Sequence, residues 1–456
     1  MKKADAVIIG FGKGGKTLAS TLAGAGNSVI LVEKSSKMYG GTCINAACIP
    51  TKSLIHSAYL SALQGGSFEQ KASRYAEAVD KKNDLTAMLR AKNYHKLADH
   101  PNITVLTGTA SFLDEHRIRI ESDGGFEEVY GDKIFINTGA QPFIPPIPGL
   151  KDHPRVYTSE SMMNLKTLPK KLIIIGGGYI GMEFASMYAN FGSEVTVIQD
   201  GGVFLPREDR EIAAAVQDSL KSRNIQVFLS TAVLEVSESE DQALVRIRTE
   251  QEVQELEADA VLVATGRRPN LTELHPERAG IAVTARGAVQ TDEHLQTSVS
   301  HIWAMGDVAG GLQFTYISLD DSRIVKSQLM GAGERTLSNR GAVPYSVFLE
   351  PPFSRVGLTE EEARAQGYPV LIAKLPVAAI PKAHVLDHPV GLLKAVINAE
   401  NDCILGAHLF CDESHEMINT IKLAMDAHIP YTTLRDSIYT HPTMSEAFNE
   451  LFANLT

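Results

Sequence analysis

The chain has 456 residues, of which 44% are hydrophobic and 21% are charged. This balance indicates a globular protein of roughly two to four domains. A net charge of −11 without a basic cluster argues against nucleic acid or an anionic membrane surface as a partner. No signal-type apolar run begins the sequence, and no long uncharged apolar stretch follows it, so we expect a cytoplasmic protein.

The first 33 residues predict a nucleotide-binding βαβ unit. AVIIG reads as a strand, FGKGG as a glycine turn, KTLASTLAGAG as a helix and SVILVE as a second strand. Gly10, Gly12 and Gly15 match the G-x-G-x-x-G pattern, in which a helix N-terminus receives a pyrophosphate. Glu33 ends the second strand, where an acidic residue binds a ribose hydroxyl.

The segment GGTCINAACIPTK places Cys43 and Cys48 five positions apart. In a cytosolic chain such a pair indicates redox, catalytic or metal chemistry more than a structural disulfide. Zinc would need four ligands, and His56 is the nearest further candidate. Two buried free thiols remain the other interpretation.

The spacing of the pair bears on its redox chemistry. In an ideal helix, residues five apart have Cα atoms about 8.6 Å apart, whereas a disulfide needs at most about 6.8 Å. Bridging Cys43 and Cys48 therefore requires a distorted turn, and a strained bridge is easily reduced. Lys52 brings a cation that would stabilise a thiolate.

A second nucleotide-binding unit follows a charged helical stretch at 68–100. KLIIIGGGYIGMEFASMYANFGSEVTVIQ repeats the first pattern, and the distance from the first glycine to the end of the second strand is 23 residues in both units. Two dinucleotides are implied. The glycines of the second unit are Gly176, Gly178 and Gly181, with Gln199 at its strand end.

Strand and turn patterns suggest that one nucleotide domain is inserted in the other. KIFINTGAQP and AVLVATGRRPN each end a strand in Thr-Gly, and QPFIPPIPGL reads as a linker. IWAMGDVAGG then resumes the first domain and places Asp307 where a carboxylate could hold a flavin polyol chain. We predict an α/β fold with two Rossmann-like domains and a C-terminal α+β domain, divided as 1–149, 150–270, 271–342 and 343–456.

These motifs together resemble the flavin-dependent pyridine nucleotide-disulfide oxidoreductases, a family that includes glutathione reductase, lipoamide dehydrogenase and mercuric reductase. The resemblance rests on GGTCxNxxCxPxK, both glycine fingerprints, the ATG and GD turns, and HPTxxE near the C-terminus. It implies FAD and NAD(P)H as cofactors and a glutathione-reductase-like fold. It also assigns Gly41, Thr42, Thr138, Gly139 and Gly266 to cofactor binding.

The resemblance further implies catalytic roles. Cys48 would be the flavin-facing thiolate and Cys43 the thiol that meets the substrate. Lys52 and Glu183 would pair beside the flavin ring, and Asp307 would bind its ribityl chain. The acid-base dyad, formed by His441 and Glu446, would act on the disulfide of the other subunit of a homodimer. Pro442 predicts that His441 is extended and enters a helix.

Within the family, the sequence is most similar to the bacterial reactive-chlorine resistance flavoproteins, which reduce hypothiocyanous acid and have been linked to copper(II) reduction. IIGFGKGGKTLA, FLPRED, QFTYISLDD, LPVAAIP and SHEMIN carry this likeness along the chain. A C-terminal cysteine pair like that of mercuric reductase is absent from NELFANLT. Lipoamide dehydrogenase, glutathione reductase and copper(II) reductase activities remain alternatives, as does a redox-sensing or metal-binding flavoprotein without turnover.

Three finer points remain open in the sequence. Gln199 is neither acid nor arginine, and with no arginine before Arg207 it favours NADH over NADPH. Phe314, Thr315 and Tyr316 could restrict a substrate channel or simply pack in the core. We predict no metal site: Cys403 and Cys411 read as core thiols, with Cys411 and His415 as a weak alternative copper pair.

Overall fold

The first domain is built on a parallel sheet with an antiparallel extension. The computed structural model describes residues 1–455. β1 (Lys2–Ile9) lies between β2 (Val29–Glu33) and β6 (Gly125–Ile136) and is parallel to both. β3 (Ile103–Thr107) pairs parallel with β2, while β4 (Thr109–Phe112) and β5 (Arg117–Ser122) extend the other edge antiparallel. The inner strands are apolar and buried on both faces, as parallel strands require.

The first part of this domain contributes four helices, two of which carry the cysteines. α1 (Lys13–Gly24) follows the first glycine turn, and α2 (Thr42–Asn45) and α3 (Cys48–Gln64) carry the cysteines. α4 (Phe68–Ala98) confirms the helix predicted over 68–100. Its start is fixed by a capping box in which Ser67 accepts from the Gln70 N–H and the Gln70 side chain accepts from the Ser67 N–H.

The second nucleotide domain is inserted in the first, as the sequence predicts. The chain leaves the first sheet after β6, builds a separate parallel sheet, and returns as β17 (Ile302–Ala304), which pairs parallel with β6. β7 (Ala140–Pro142) and β16 (Arg267–Pro269), on the outgoing and returning segments, pair antiparallel. α8 (Thr315–Met330) then packs on α1.

The inserted sheet has the parallel order β11-β10-β9-β15-β8, beside a separate antiparallel sheet β12-β13-β14. Its elements are β8 (Val156–Thr158), α5 (Ser159–Met162), β9 (Lys171–Ile175), α6 (Tyr179–Phe191), β10 (Glu194–Ile198), α7 (Arg210–Ser222), β11 (Gln226–Phe228), β12 (Ala232–Ser239), β13 (Gln242–Arg248), β14 (Val253–Ala258) and β15 (Ala260–Val263).

The C-terminal domain is a five-stranded antiparallel sheet with helices, in the order β18-β19-β22-β21-β20. Its elements are β18 (Tyr345–Val347), β19 (Phe353–Gly357), α9 (Glu360–Ala365), β20 (Val370–Pro376), α10 (Pro381–Val385), β21 (Leu392–Asn398), β22 (Ile404–Phe410), α11 (Ser414–Asp426), α12 (Tyr431–Arg435) and α13 (Ala447–Ala453).

One hydrophobic cluster joins all three domains. α6 contacts α3 and α4 of the first domain and β18 of the C-terminal domain, and the cluster also includes Phe353 and Phe410 of the C-terminal domain. Tyr188 of α6 is fully buried there, and its hydroxyl lies 2.8 Å from that of Tyr75 in α4. Because this core is shared, the domains hold the functional site between them rather than on one surface. Over residues 1–455, no helix is both long and apolar enough to cross a membrane.

Candidate active site

A cavity of about 3530 Å³ runs along the junction of the three domains. Both glycine turns, Cys43 and Cys48 line it, together with residues of the C-terminal domain such as Phe348. A site for one drug-sized ligand is typically about 300–1,000 Å³. The larger volume therefore fits two extended dinucleotides that approach the cysteine pair from different domains.

The first glycine turn is shaped by close backbone contacts. Gly10 has φ +109°, and a Cβ atom there would lie 2.2 Å from the Asn137 carbonyl oxygen. Only glycine fits such a position. Glu33 Oε2 accepts the Phe11 N–H at 3.0 Å, and burial raises the pKa of this carboxyl group. Glu33 thus lies at the end of β2 beside the turn, as predicted for a ribose-binding residue, and lines the cavity.

Asn137 and Ser318 support this turn and are not found by the sequence motifs. Asn137 Oδ1 accepts the Gly15 N–H at 2.9 Å, and its Nδ2 donates to the Met305 carbonyl at 2.7 Å. Ser318 Oγ accepts the Gly14 N–H at 3.0 Å. The available signal for Asn137 is its place at the end of a buried strand, directly before the Thr138-Gly139 turn.

The cysteine segment is a broken helix. Gly41 has φ +83°, and a Cβ there would lie 2.7 Å from the Gly12 Cα, so the segment closes tightly over the first glycine turn. α2 ends at Asn45, and Ala46 and Ala47 have φ near −142° before α3 begins at Cys48. The ideal-helix separation of the cysteines therefore does not apply. The distorted turn that a reducible bridge requires is present.

The two thiols differ in their electrostatic surroundings. A hydrogen bond from Cys43 lowers the pKa of Cys48 to about 6, with smaller contributions from Thr315 and Lys52, against the opposing effect of burial. Thr315 Oγ1 lies 3.5 Å from the Cys48 sulfur. The same hydrogen bond, with burial, raises the pKa of Cys43. In the reduced pair Cys48 is therefore the thiolate and Cys43 keeps its proton.

Lys52 and Glu183 meet across the domain boundary beside the thiols. Lys52 Nζ lies 2.7 Å from both carboxylate oxygens of Glu183, and it is 4.7 Å from the ring centroid of Phe348. The Phe348 N–H donates to Glu183 Oε1 at 3.0 Å. The predicted pair is therefore formed, with a partner from the C-terminal domain that the sequence does not reveal.

Aromatic rings line the cavity from the cysteines to the second glycine turn. Phe314 is stacked on Tyr316, with centroids 5.2 Å apart, and on Tyr345, at 5.8 Å. Tyr345 faces Tyr179 at 5.5 Å. Because Tyr316 is 41% exposed and lines the cavity, its segment is not ordinary core packing. Tyr345 and Tyr179 both donate hydroxyl hydrogen bonds to the buried carboxylate of Glu208.

The second glycine turn repeats the geometry of the first. Gly176 has φ +114°, and Gly178 precedes α6, which contains Gly181. Gln199 lies at the end of β10, and its Nε2 donates to the carbonyls of Gly201 and Val203, both at 2.8 Å. The Gln199 side chain thus stabilises the loop that follows it, at the edge of the cavity.

The remaining predicted cofactor residues also lie at the cavity. Thr138, Gly139 and Gly266 line it, as do Gly41 and Thr42. Asp307 lies in a 3₁₀ turn, Gly306–Ala309, and burial raises the pKa of its carboxyl group. This turn is held by Asp321, whose Oδ2 accepts the Gly306 N–H at 2.7 Å. Asp321 is a third supporting residue that the motifs do not identify.

His441 and Glu446 form a pair away from this cavity. His441 Nδ1 lies 2.8 Å from Glu446 Oε2, and the histidine side chain is 72% exposed. Among residues 1–455, neither residue lines the cavity. The expectation that His441 enters a helix is wrong, because turns follow it and α13 begins only at Ala447.

The two other cysteines lie in the C-terminal domain. Cys411 is a core thiol, as predicted, and burial raises its pKa. Cys403 is only half-buried, so its prediction as a core thiol is wrong. The part of the chain that the structure describes contains no group of three or more His, Cys, Asp or Glu side chains able to hold a metal ion.

The fold and site define a flavin-dependent disulfide oxidoreductase. Residues 4–322 match the family model of pyridine nucleotide-disulphide oxidoreductases, and residues 343–452 match the dimerisation domain of the same family. The chain belongs to this family. Its members use FAD and NAD(P)H, and the volume of the cavity and its two glycine turns fit two such dinucleotides.

Particular relatives show where the chain lies within the family. It is 52% identical to the probable pyridine nucleotide-disulfide oxidoreductase RclA of Escherichia coli, over 99% of both chains. It is 33% identical to a dihydrolipoyl dehydrogenase of Mycobacterium bovis, over 99% of this chain and 98% of that one. A solved Cu(II) complex of the HOCl-induced flavoprotein disulfide reductase RclA from E. coli superimposes with a TM-score of 0.93 at 52% identity, covering 99% of each chain.

Proposed function

We propose that this enzyme uses NAD(P)H to reduce a small oxidant, hypothiocyanous acid, through the Cys43–Cys48 pair in defence against reactive chlorine. The observation that carries the proposal is the pair itself, in which a low-pKa thiolate and a protonated thiol share one cavity with both glycine turns. Support comes from the 52% identity to a relative described as HOCl-induced. We also propose a cytoplasmic location.

A bound flavin would supply two-electron transfer from NAD(P)H to the disulfide. The first glycine turn, Glu33 and Asp307 would hold the flavin nucleotide, and the second turn with Gln199 would hold the nicotinamide nucleotide. Lys52, held by Glu183, would keep a positive charge beside the Cys48 thiolate.

The reduced cysteines would carry out the substrate half of the reaction. The Cys43 thiolate attacks the sulfur of hypothiocyanous acid, and the oxygen leaves as hydroxide and is protonated to water. The Cys48 thiolate then attacks the Cys43 sulfur, re-forms the disulfide and releases thiocyanate. Two electrons pass from the dithiol to the oxidant, so NAD(P)H and hypothiocyanous acid give NAD(P)⁺, thiocyanate and water.

The proton transfers would be made by His441 of the partner subunit in a homodimer. Two observations support this assignment: His441 is exposed and held by Glu446, and it does not line the cavity of its own chain. The match of residues 343–452 to the family's dimerisation domain supports a homodimer. His441 would accept the Cys43 proton and return one to the departing hydroxide.

Phe314, Thr315 and Tyr316 would restrict access to the pair. Thr315 lies against Cys48, and Phe314 and Tyr316 on either side of it stack on each other as an aromatic wall at the cavity. A small oxidant passes such a wall more easily than a lipoyl group or glutathione disulfide does. Copper(II) is the second candidate substrate, because the related solved structure is a Cu(II) complex.

The initial rate of NADH oxidation tests the proposal. We expect fast turnover with hypothiocyanous acid, little with lipoamide or glutathione disulfide, and none in Cys43→Ser. Cys403→Ser, a half-buried thiol elsewhere, is the matched control and should keep native turnover. Activity confined to lipoamide, glutathione disulfide or copper(II) would contradict the substrate assignment while leaving the reductase class intact.

A further inference from the structure

A half-buried lysine lies behind the cysteine segment. Lys16, in the first turn of α1, donates from Nζ to Asn93 Oδ1 at 2.6 Å and to the Gly40 carbonyl at 3.2 Å. Among residues 1–455, Lys16 has no carboxylate within salt-bridge distance. A half-buried cation loses part of its hydration, and without an acidic partner no ion pair offsets that loss. Another group near Lys16 that can become negative would offset it.

The contacts of Lys16 fix where its charge lies. Asn93 Nδ2 donates to the Leu89 carbonyl at 2.7 Å, which leaves the Asn93 oxygen facing the lysine. A Cβ at Gly40 would lie 3.3 Å from the Asn93 side chain, so this segment has little room to shift. Gly40 is three residues before Cys43, and Lys16 therefore lies beside the start of α2.

We propose that Lys16 is a positioning residue for Cys43: its ammonium group, held by Asn93 and Gly40, supplies the positive charge that favours the Cys43 thiolate. This inference rests on the proposed function, in which Cys43 attacks the oxidant. Each thiol then has its own lysine, since Lys52 faces Cys48 from the next turn of α3. The two cations belong to different helices, α1 and α3.

The groups around the pair are consistent with this role. Cys48 of α3 and burial raise the pKa of Cys43, whereas the Thr315 hydroxyl of α8 and, to a smaller extent, the charge of Lys16 on α1 lower it.

Burial, reinforced by Lys13 on α1 and Lys96 on α4, lowers the pKa of Lys16 to about 8, while Cys43 acts in the opposite direction. Lys16 therefore remains charged at neutral pH. Its effect on Cys43 fades as the pH rises through about 8.

Alkylation of the reduced enzyme tests the inference without any oxidant. Anaerobically reduced protein is treated with iodoacetamide across neutral and mildly alkaline pH, and mass spectrometry measures modification at Cys43. In Lys16→Met we expect the rate at neutral pH to fall about twofold, less than the tenfold that a full pKa unit produces when only the thiolate reacts, because Lys16 lowers the pKa of Cys43 less than Thr315 does. Lys16→Arg should restore most of the rate, because it restores the charge.

Two controls separate charge from scaffolding. Lys96→Met removes an exposed cation near Lys16 and should leave Cys43 alkylation at the native rate at neutral pH, where Lys16 is charged in both proteins. The ratio of flavin to protein should be native in Lys16→Met. Equal alkylation rates in native protein and Lys16→Met would overturn the proposal, as would loss of flavin in Lys16→Met, because Lys16 would then hold the cofactor.

Failure of the proposed function would look different. Alkylation confined to Cys48 would overturn the assignment of Cys43 as the attacking thiol, and with it this role for Lys16. A pH-dependent loss at Cys43 in Lys16→Met supports the inference even in an enzyme that does not turn over hypothiocyanous acid.

Discussion

Lys52 Nζ lies 2.7 Å from each carboxylate oxygen of Glu183, and the two residues belong to different nucleotide domains. Phe348 of the C-terminal domain donates its N–H to the same glutamate. The pair thus links all three domains directly beside Cys48. Lys52 therefore has two roles: it forms the ion pair that joins the domains, and it provides the positive charge beside the Cys48 thiolate.

Replacement of Lys52 should raise the pKa of Cys48 and so destabilise its thiolate form. After the hydrogen bond from Cys43 and the contact with Thr315, the charge of Lys52 is a further cause of the low pKa of Cys48, about 6. In Lys52→Met that pKa should rise, because a thiolate loses a neighbouring cation. We expect the long-wavelength thiolate-to-flavin absorbance of the reduced enzyme to appear at higher pH than in native protein. A pH titration of that absorbance measures the shift.

The matched control for this variant is Lys166→Met, which removes a lysine paired with Asp80 at the surface. Its titration should coincide with that of the native enzyme. If the titration midpoint does not move in Lys52→Met, the negative charge of Glu183 must already cancel the effect of Lys52 on the pKa of Cys48.

Thr315 should act on the same thiolate through a hydrogen bond rather than a charge. Its hydroxyl lies 3.5 Å from the Cys48 sulfur and lowers the pKa of both cysteines. Thr315→Val keeps the shape of the side chain and removes the donor, so the absorbance should again appear at higher pH. Thr315→Ser should titrate like the native enzyme, and a serine variant that behaves like valine would argue for packing instead.

The sequence predicts the fold and the reacting groups because both depend on local patterns. Glycine turns, strand periodicity and the cysteine segment are short-range signals, and they locate β1, α6 and the Cys43–Cys48 pair correctly. Lys52 and Glu183 are 131 positions apart, and only the resemblance to the family, not the spacing, predicts their pairing.

Supporting residues escape this kind of prediction. Asn137 contacts a turn 122 positions away, and Glu208 joins tyrosines from two domains. Their roles depend on how domains pack, and neither has a motif. His441 shows the opposite case: the resemblance to the family predicts its partner Glu446 correctly, whereas the local structure after Pro442 is a turn and not a helix.

Asn137→Ala should destabilise the protein and loosen the first glycine turn. The amide satisfies the Gly15 N–H and the Met305 carbonyl in a buried site. Leaving both unpaired should lower the free energy of unfolding by about 3 kcal/mol, and flavin should be retained less well. Urea unfolding and the flavin-to-protein ratio measure the two effects. Asn401→Ala removes an exposed acceptor of the Cys403 N–H, so it should cost only about 1 kcal/mol and leave the flavin ratio native. A native flavin ratio in Asn137→Ala would contradict its support of the turn.

Gln199→Glu should raise the preference for NADH. A carboxylate at this strand end accepts ribose hydroxyl hydrogens and repels the additional phosphate of NADPH. It cannot donate to the Gly201 and Val203 carbonyls as the amide does, so KM should rise for both nucleotides. The ratio of kcat/KM for NADH and NADPH cancels that shared loss. A ratio equal to the native one would show that residue 199 does not contact the ribose.

Glu208 should be the most costly carboxylate of the site to remove. Its side chain is fully buried, it accepts hydrogen bonds from Tyr179 and Tyr345, and it lies 3.7 Å from an Arg355 nitrogen. Burial, together with this carboxylate, raises the pKa of both tyrosines, so the phenols stay neutral donors at physiological pH. Glu208→Leu removes the shared acceptor of two half-buried hydroxyls, which keep only their bond to each other at 3.2 Å, and takes one carboxylate from the Arg355 guanidinium. It should lower the free energy of urea unfolding by about 3 kcal/mol.

Glu362→Gln provides the comparison, because Glu362 contacts the same arginine but is 45% exposed. Its replacement should cost less than about 1 kcal/mol. Since Tyr179 begins α6 beside Gly178, Glu208→Leu should also raise KM for the nicotinamide nucleotide, whereas Glu362→Gln should not. Equal losses of stability in the two variants would mean that the Tyr179 and Tyr345 hydroxyls find other partners, and that Glu208 does not hold these two rings in place at the cavity.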